Sequence, residues 1–328
     1  MYHIQILKLI DIVPAGIPTD KLLTGVALAL AGAILMAFGL QYQSRGVNKM
    51  ERVTSSEVAT GLSMGQISQL LRRPSWLFGT LSLGAAVILQ LTALTFAPLI
   101  VVQPLGIMSL VIIVFLSANR LKIKLDKRVF AAVGLCFLGI VAFVLVAASN
   151  AAETEINQTQ LIIVLALFIV VAGGFAVTIR LKRDNPSQLI YIIAAGVNYG
   201  FVVTFSKTLI VRITQGDFSF LSIITIVMVI IGFLLAMGYV QNAHSCGPPD
   251  LVVAGLTVVD PLVAVTIGIV VLQEAKHAAL WVLVVFIVAG AAAVNGVFKL
   301  AKYHPESQQK LEEAVEKVAE AAEKAAEK

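Results

Sequence analysis

Asp260 is the residue of this chain with the most chemical potential for its setting. It precedes Pro261 near the middle of an apolar run, 249–273. An ionisable side chain at bilayer depth is costly and marks an ion path, a proton relay or a substrate contact. Pro261 has no N–H and frees the carbonyl of Thr257. At helical spacing Asp250, Ala254, Thr257 and Asp260 share one face, which would set an acid, a hydroxyl and a freed carbonyl side by side. The competing reading is an acid that staples the interrupted backbone. Lys207 lies about 7.5 Å by helical rise before Arg212. It either snorkels to the interface or points inward, where Asp260 is its natural partner or competitor. Asn198 falls on the opposite side of the same helix from Lys207, so one cavity holds both only if that helix bends.

Gln90 and Gln103 flank the dipeptide Ala97-Pro98, within the stretch APLIVVQPLGIMSLVII at 97–113. Pro104 frees the carbonyl of Ile100 and bends its helix. In hydrocarbon such a carbonyl is tolerated only when protein or a water-filled cavity receives it. Amide side chains also tie membrane helices together, so both glutamines read either as cavity residues or as interhelical links. His244 reads as a loop histidine, Asp250 after Pro248-Pro249 as an N-cap, and Glu274 as an interfacial residue at a helix end. Cys136 and Cys246 are far apart with no CxxC or histidine spacing, so neither a disulfide framework nor a metal centre is expected. No Walker A, HExxH, GxSxG or kinase pattern occurs at a credible place, and the expectation is a non-enzyme without a cofactor.

These residues need elements that can hold them in lipid. The chain of 328 residues is 59% hydrophobic and 13% charged, with a mean hydropathy of +0.93. About 25% charged residues is usual for a soluble domain, so a polytopic membrane protein is expected. Apolar runs long enough to cross a bilayer occupy 22–41, 75–96, 98–118, 128–149, 160–180, 188–212, 219–240, 249–273 and 278–298, about nine helices. The all-α transmembrane domain thus covers 22–300. It follows an interfacial segment at 1–21 and precedes a polar helical tail at 301–328, whose low complexity could reflect a sequence addition. A further amphipathic surface helix is expected over 58–71. Lys and Arg concentrate at 42–74, 119–128 and 180–187, whereas 150–159 carries only Glu153 and Glu155. That alternation places the N-terminus outside and the C-terminus in the cytoplasm. The net charge of +5 therefore reflects loop topology and not nucleic-acid binding.

Small residues recur every three or four positions. Gly25, Ala29, Gly32 and Gly39 form one such stripe, and Gly79, Ser82, Ala86, Gln90, Ala93 and Ala97 another. Gly196, Gly200 and Val203 share a third with Lys207. Such stripes let helix backbones approach closely in lipid. The block 75–149 also matches 219–298 in plan. Ala97-Pro98 echoes Pro248-Pro249, and Gly134 with Gly139 echoes Gly290 with Gly296. Because the blocks begin on opposite membrane faces, an inverted repeat with helix breaks at Pro104 and Pro261 is expected, with a site between the halves.

The run ALTFAPLIVVQPLGIMSLVI followed by VGLCFLGIVAFVL resembles the drug/metabolite transporter superfamily, and most closely its nine-span NIPA-like branch. VLQEA at 271–275 resembles the EamA-type repeat, where a Glu follows the broken helix; Asn119-Arg120 occupies that place in the first half. The resemblance implies alternating access through a central cavity. Its nearest branch implies Mg²⁺, an ion that prefers carboxylate oxygens. The residues offer one deep acid, so the first expectation is transport of a small organic solute past Gln90, Gln103, Asn198, Lys207, Thr257 and Asp260, with possible proton coupling through Asp260. The helices 75–96, 98–118, 188–212 and 249–273 would line the path. Alternatives are a divalent-cation transporter, a lipid or lipid-linked saccharide flippase, and a non-transporting membrane partner of an envelope enzyme. The lipid bilayer and a solute or cation are the expected contacts, with a second copy or a membrane-protein partner as further candidates, and the plasma or inner membrane is the expected location.

Overall fold

A computed structural model describes residues 18–54, 73–122, 125–151, 156–181, 187–217, 219–246, 249–276 and 278–302. The expected 1–21 segment (apart from its last residues), the surface helix 58–71 and the polar tail beyond 302 lie outside the described residues.

The described residues are helical throughout and contain no strand. The helices are α1 (Thr19–Thr54), α2 (Pro74–Phe96), α3 (Leu99–Gly106), α4 (Met108–Leu121), α5 (Lys127–Asn150), α6 (Gln158–Leu181), α7 (Gln188–Thr214), α8 (Phe220–Ser245), α9 (Pro249–Val270) and α10 (Leu280–Lys302). Among them are nine spans long and apolar enough to cross a membrane, with α3 and α4 forming a single span. Each coincides with an apolar run read from the sequence, and most boundaries fall within two or three residues. Outward faces carry large apolar side chains such as Val170, Phe220 and Ile287, the surface that lipid covers in a spanning bundle.

The two prolines behave differently. After Pro104 the helix ends at Gly106, and the N–H of Ile107 turns back to Pro104 O at 3.2 Å before α4 begins. Pro261 lies inside an uninterrupted α9. A single proline removes one ladder hydrogen bond, and the apolar helix on either side keeps the rest. The expected symmetry of two breaks is therefore one break and one proline-bearing continuous helix.

Small residues set the tightest contacts. A Cβ added at Gly25 would meet Ala97 Cβ at 2.6 Å, and one at Gly79 would meet the Gln43 backbone N at 2.5 Å, so α1 and α2 form a close antiparallel pair. On α7, Gly196 and Gly200 admit Val259 and Val263 of α9, while Gly255 of α9 admits Ile192 of α7. Between α5 and α10, Gly139 lies against the backbone of Ala293 and Gly296 against that of Cys136. Those two contacts exchange roles, each glycine facing the residue three positions before the other. Phe143 stacks on Phe286 in the same interface, with ring centroids 4.7 Å apart.

The neighbour pattern repeats. α1 packs on α2 and on α3–α4, as α7 packs on α8 and on α9. α5 adjoins α3–α4 as α10 adjoins α9, and the two sets meet through α3 against α9 and α5 against α10. α6 stands between the sets in sequence and leans on α7, where Phe168 makes edge contacts with Phe201 and Phe205.

Candidate functional site

The four helices expected to line a path do close a ring: α2 on α3, α3 on α9, α9 on α7 and α7 on α2. The six expected site residues are distributed around this ring and not gathered at one point.

Asp260 lies where α9 crosses the glycine stripe of α7. Its backbone is seated on that stripe, with Asp260 O 3.0 Å from a Cβ built on Gly200. Its Oδ1 is buried and has no hydrogen-bond partner among the described residues, and Tyr199 stands within electrostatic reach. A buried carboxylate oxygen without a donor is costly unless a cation or proton supplies one. Thr257 donates to Val253 O of its own helix at 2.7 Å, so its hydroxyl closes on the backbone. Asn198 is buried and donates from Nδ2 to Ala194 O at 2.7 Å, leaving Oδ1 without a partner among the described residues.

Gln90 reaches between two helices. Its Oε1 is 3.1 Å from a Cβ built on Gly32 and its Nε2 is 3.4 Å from one built on Gly106. Both glycines give the amide room beside the break after Pro104. Gln103 is 5% exposed on α3. Pro104 and Pro261 do face one another across a gap of about 40 Å³, closed by Ile140, Phe143, Val258, Val265 and Ala293 among others. That gap is lined by apolar side chains and backbone only. The gap between the two proline-bearing helices is thus an apolar joint, with Asp260 and Gln103 outside its lining.

Lys207 takes a different partner from the one expected. Its Nζ donates to the carbonyls of Leu94 and, at 3.2 Å, Ala97. These belong to the C-terminal end of α2, where unsatisfied carbonyls carry partial negative charge. The inward alternative is the one adopted, but toward a helix end and not toward Asp260.

Glu274 departs furthest from its sequence reading as an interfacial residue. It is 3% exposed. Oε1 accepts from the N–H of Leu99 and Oε2 from that of Ile100, each at 3.0 Å, so the carboxylate caps the N-terminus of α3. Gln273 just before it adopts a left-handed φ of 57°, which turns the chain back toward α3. Gly268 leaves the space the carboxylate occupies, since a Cβ there would sit 2.8 Å from Oε2. Burial pushes the Glu274 carboxyl above the usual carboxylate range, while Lys207 and the two amides pull it down. The signal was present in the sequence as an acid inside LQEA between two apolar runs. Its partners were not, because they come from 174 and 175 residues away.

Arg212, at the end of α7, is 1% exposed. It donates to Asp217 at 2.6 Å, Ser219 at 2.7 Å and Ser222 at 3.1 Å, pinning the turn into α8. Among the described residues no group of three or more His, Cys, Asp or Glu side chains could hold a metal ion.

The nine apolar spans among the described residues define a multi-pass membrane protein. The sequence profile of the magnesium transporter NIPA family matches residues 20–305, and the chain belongs to that family. The family lies within the drug/metabolite transporter superfamily and is one of membrane transporters, not enzymes. A probable magnesium transporter of Candida albicans is 31% identical over 120 residues, 37% of this chain and 32% of that protein. An uncharacterised protein of Corynebacterium glutamicum is 24% identical over 260 residues, 79% of this chain and 88% of that one. The chain thus matches about a third of the length of the first relative and most of the second. No solved structure matches.

Proposed function

We propose that the chain carries Mg²⁺, or a divalent cation like it, across the cell membrane by alternating access, with Asp260 as the acid that meets the ion inside the bundle. The observation that carries this reading is the buried Oδ1 of Asp260, which lacks a donor among the described residues, in a chain of the NIPA family. Mg²⁺ sheds water reluctantly and binds through one or two carboxylates while keeping several waters, so a deep acid with Tyr199 within electrostatic reach suits a transient transport site. The organic solute that ranked first on sequence grounds has less support. Sites for such molecules occupy about 300 Å³ or more, and the joint between the two prolines offers about 40 Å³ in this conformation. The repeated neighbour pattern and the exchanged Gly139 and Gly296 contacts support two inverted halves that rock about the α3–α9 and α5–α10 interfaces.

The test is Mg²⁺ flux into proteoliposomes. Asp260→Asn keeps the volume and removes the charge, and a loss of about tenfold or more in rate is expected, a single carboxylate being the main charged ligand. Unchanged Mg²⁺ flux in a monodisperse Asp260→Asn protein would overturn the assignment of Asp260. Absence of Mg²⁺ flux in the unaltered protein would overturn the cation reading itself.

A further inference from the structure

Two carbonyl oxygens and one carboxylate lie on either side of a single residue, Pro98. Leu94 O and Ala97 O end α2, and Glu274 sits on the N–H groups of Leu99 and Ile100 that begin α3. A cationic group already stands among them, the Lys207 ammonium, brought from α7 on the other set of helices.

We propose that these oxygens form a binding site for the transported divalent cation, and that Lys207 is a tethered competitor which occupies the site when the ion is absent. This rests on the cation reading above.

The chemistry of the two occupants is alike. An ammonium presents positive charge and three N–H donors. A hydrated Mg²⁺ presents positive charge and the O–H donors of the waters it keeps. Carbonyls at a helix C-terminus and a carboxylate accept from either, and the negative end of the α2 dipole favours both. Lys207 is suited to yield, because its charge sits on a flexible four-carbon stem. Gly268 gives the arrangement its shape, since any side chain there would press on Glu274 Oε2. Withdrawal of the ammonium would release α7 from the end of α2, which ties ion binding to relative movement of the two sets of helices.

The experiment is Mg²⁺ titration of the purified full-length protein in detergent at constant ionic strength, read by thermal-melt shift and by calorimetry. Removing a positive charge that competes at contact distance should lower the half-saturating Mg²⁺ by about tenfold or more in Lys207→Gln. Lys207→Arg should show no gain, and Lys207→Gln/Glu274→Gln should lose it. Gly268→Ala, with Lys207 intact, should weaken binding severalfold and serves if the lysine variant does not fold. A monodisperse Lys207→Gln protein that binds Mg²⁺ like the unaltered one would overturn the proposal. So would a gain that survives Glu274→Gln, or Gly268→Ala binding that is unchanged. Gained binding without Mg²⁺ flux in any variant would leave this site standing and overturn the transport reading. Mg²⁺ flux that depends on Asp260, with no binding gain in Lys207→Gln, would do the reverse.

Discussion

Arg212, Glu274 and Lys207 are each matched by specific backbone or side-chain groups, and the cost of removing one follows from what it leaves behind. Arg212 is the clearest case. Its side chain is 2% exposed and its partner Asp217 is 39% exposed, so the desolvation falls mostly on the arginine. Arg212→Met would leave Ser222 and Ser219 without a donor and release the turn between α7 and α8. Leaving buried hydroxyls unsatisfied costs about 1–3 kcal/mol, and a fall in the melting temperature in detergent is expected, with no direct effect on ions bound elsewhere. Asp260 differs in kind. Its Oδ1 has no internal donor among the described residues, so Asp260→Asn should cost little stability while it removes function. Separation of those two readouts distinguishes a site acid from a structural one.

Among the elements, glycine contacts decide which substitutions a helix tolerates. A Cβ on Gly296 would lie 2.5 Å from Cys136 N and 2.6 Å from its Cα. Those are backbone atoms, and the α5–α10 crossing would have to open. Gly296→Val is therefore expected to destabilise by about 2 kcal/mol or more, as overpacking of a tight contact does. Gly134 and Gly173 have nothing within 4 Å of a built Cβ. Alanine at either should be neutral or stabilise by about 0.5–1 kcal/mol through helix propensity. Thermal melts of the three variants check the contrast, and equal effects would contradict the packing. The stripe on α1 and α2 was legible from its spacing alone. That Gly134 is open while Gly139 is closed was not, because both fall in the same apolar pattern and only the neighbour differs.

At the scale of the whole molecule, orientation is the testable matter. The concentration of Lys and Arg in alternate loops predicts Lys127 in the cytoplasm and Gln215 outside. With Cys136 and Cys246 replaced, a cysteine at Gln215 should react with an impermeant thiol reagent added to intact cells. One at Lys127 should react only after permeabilisation. The opposite pattern would invert the topology and put the Ala97-Pro98 turn, Lys207 and Glu274 on the cytoplasmic side.

Sequence by itself determined the nine spans, the packing stripes and the family, because each is written in local features: run length against bilayer thickness, small-residue spacing and a contiguous proline-rich block. It also identified Asp260 and Lys207 as costly and therefore informative. Only the tertiary structure decided their partners. Lys207 turned to the end of α2 and not to Asp260, Glu274 proved to be a buried cap and not an interfacial residue, and α9 passed through Pro261 unbroken. The first two outcomes depend on which helix end arrives beside which side chain from more than a hundred residues away. A helix terminus offers several unsatisfied carbonyls or amides to a charge, and no spacing within one segment records that meeting.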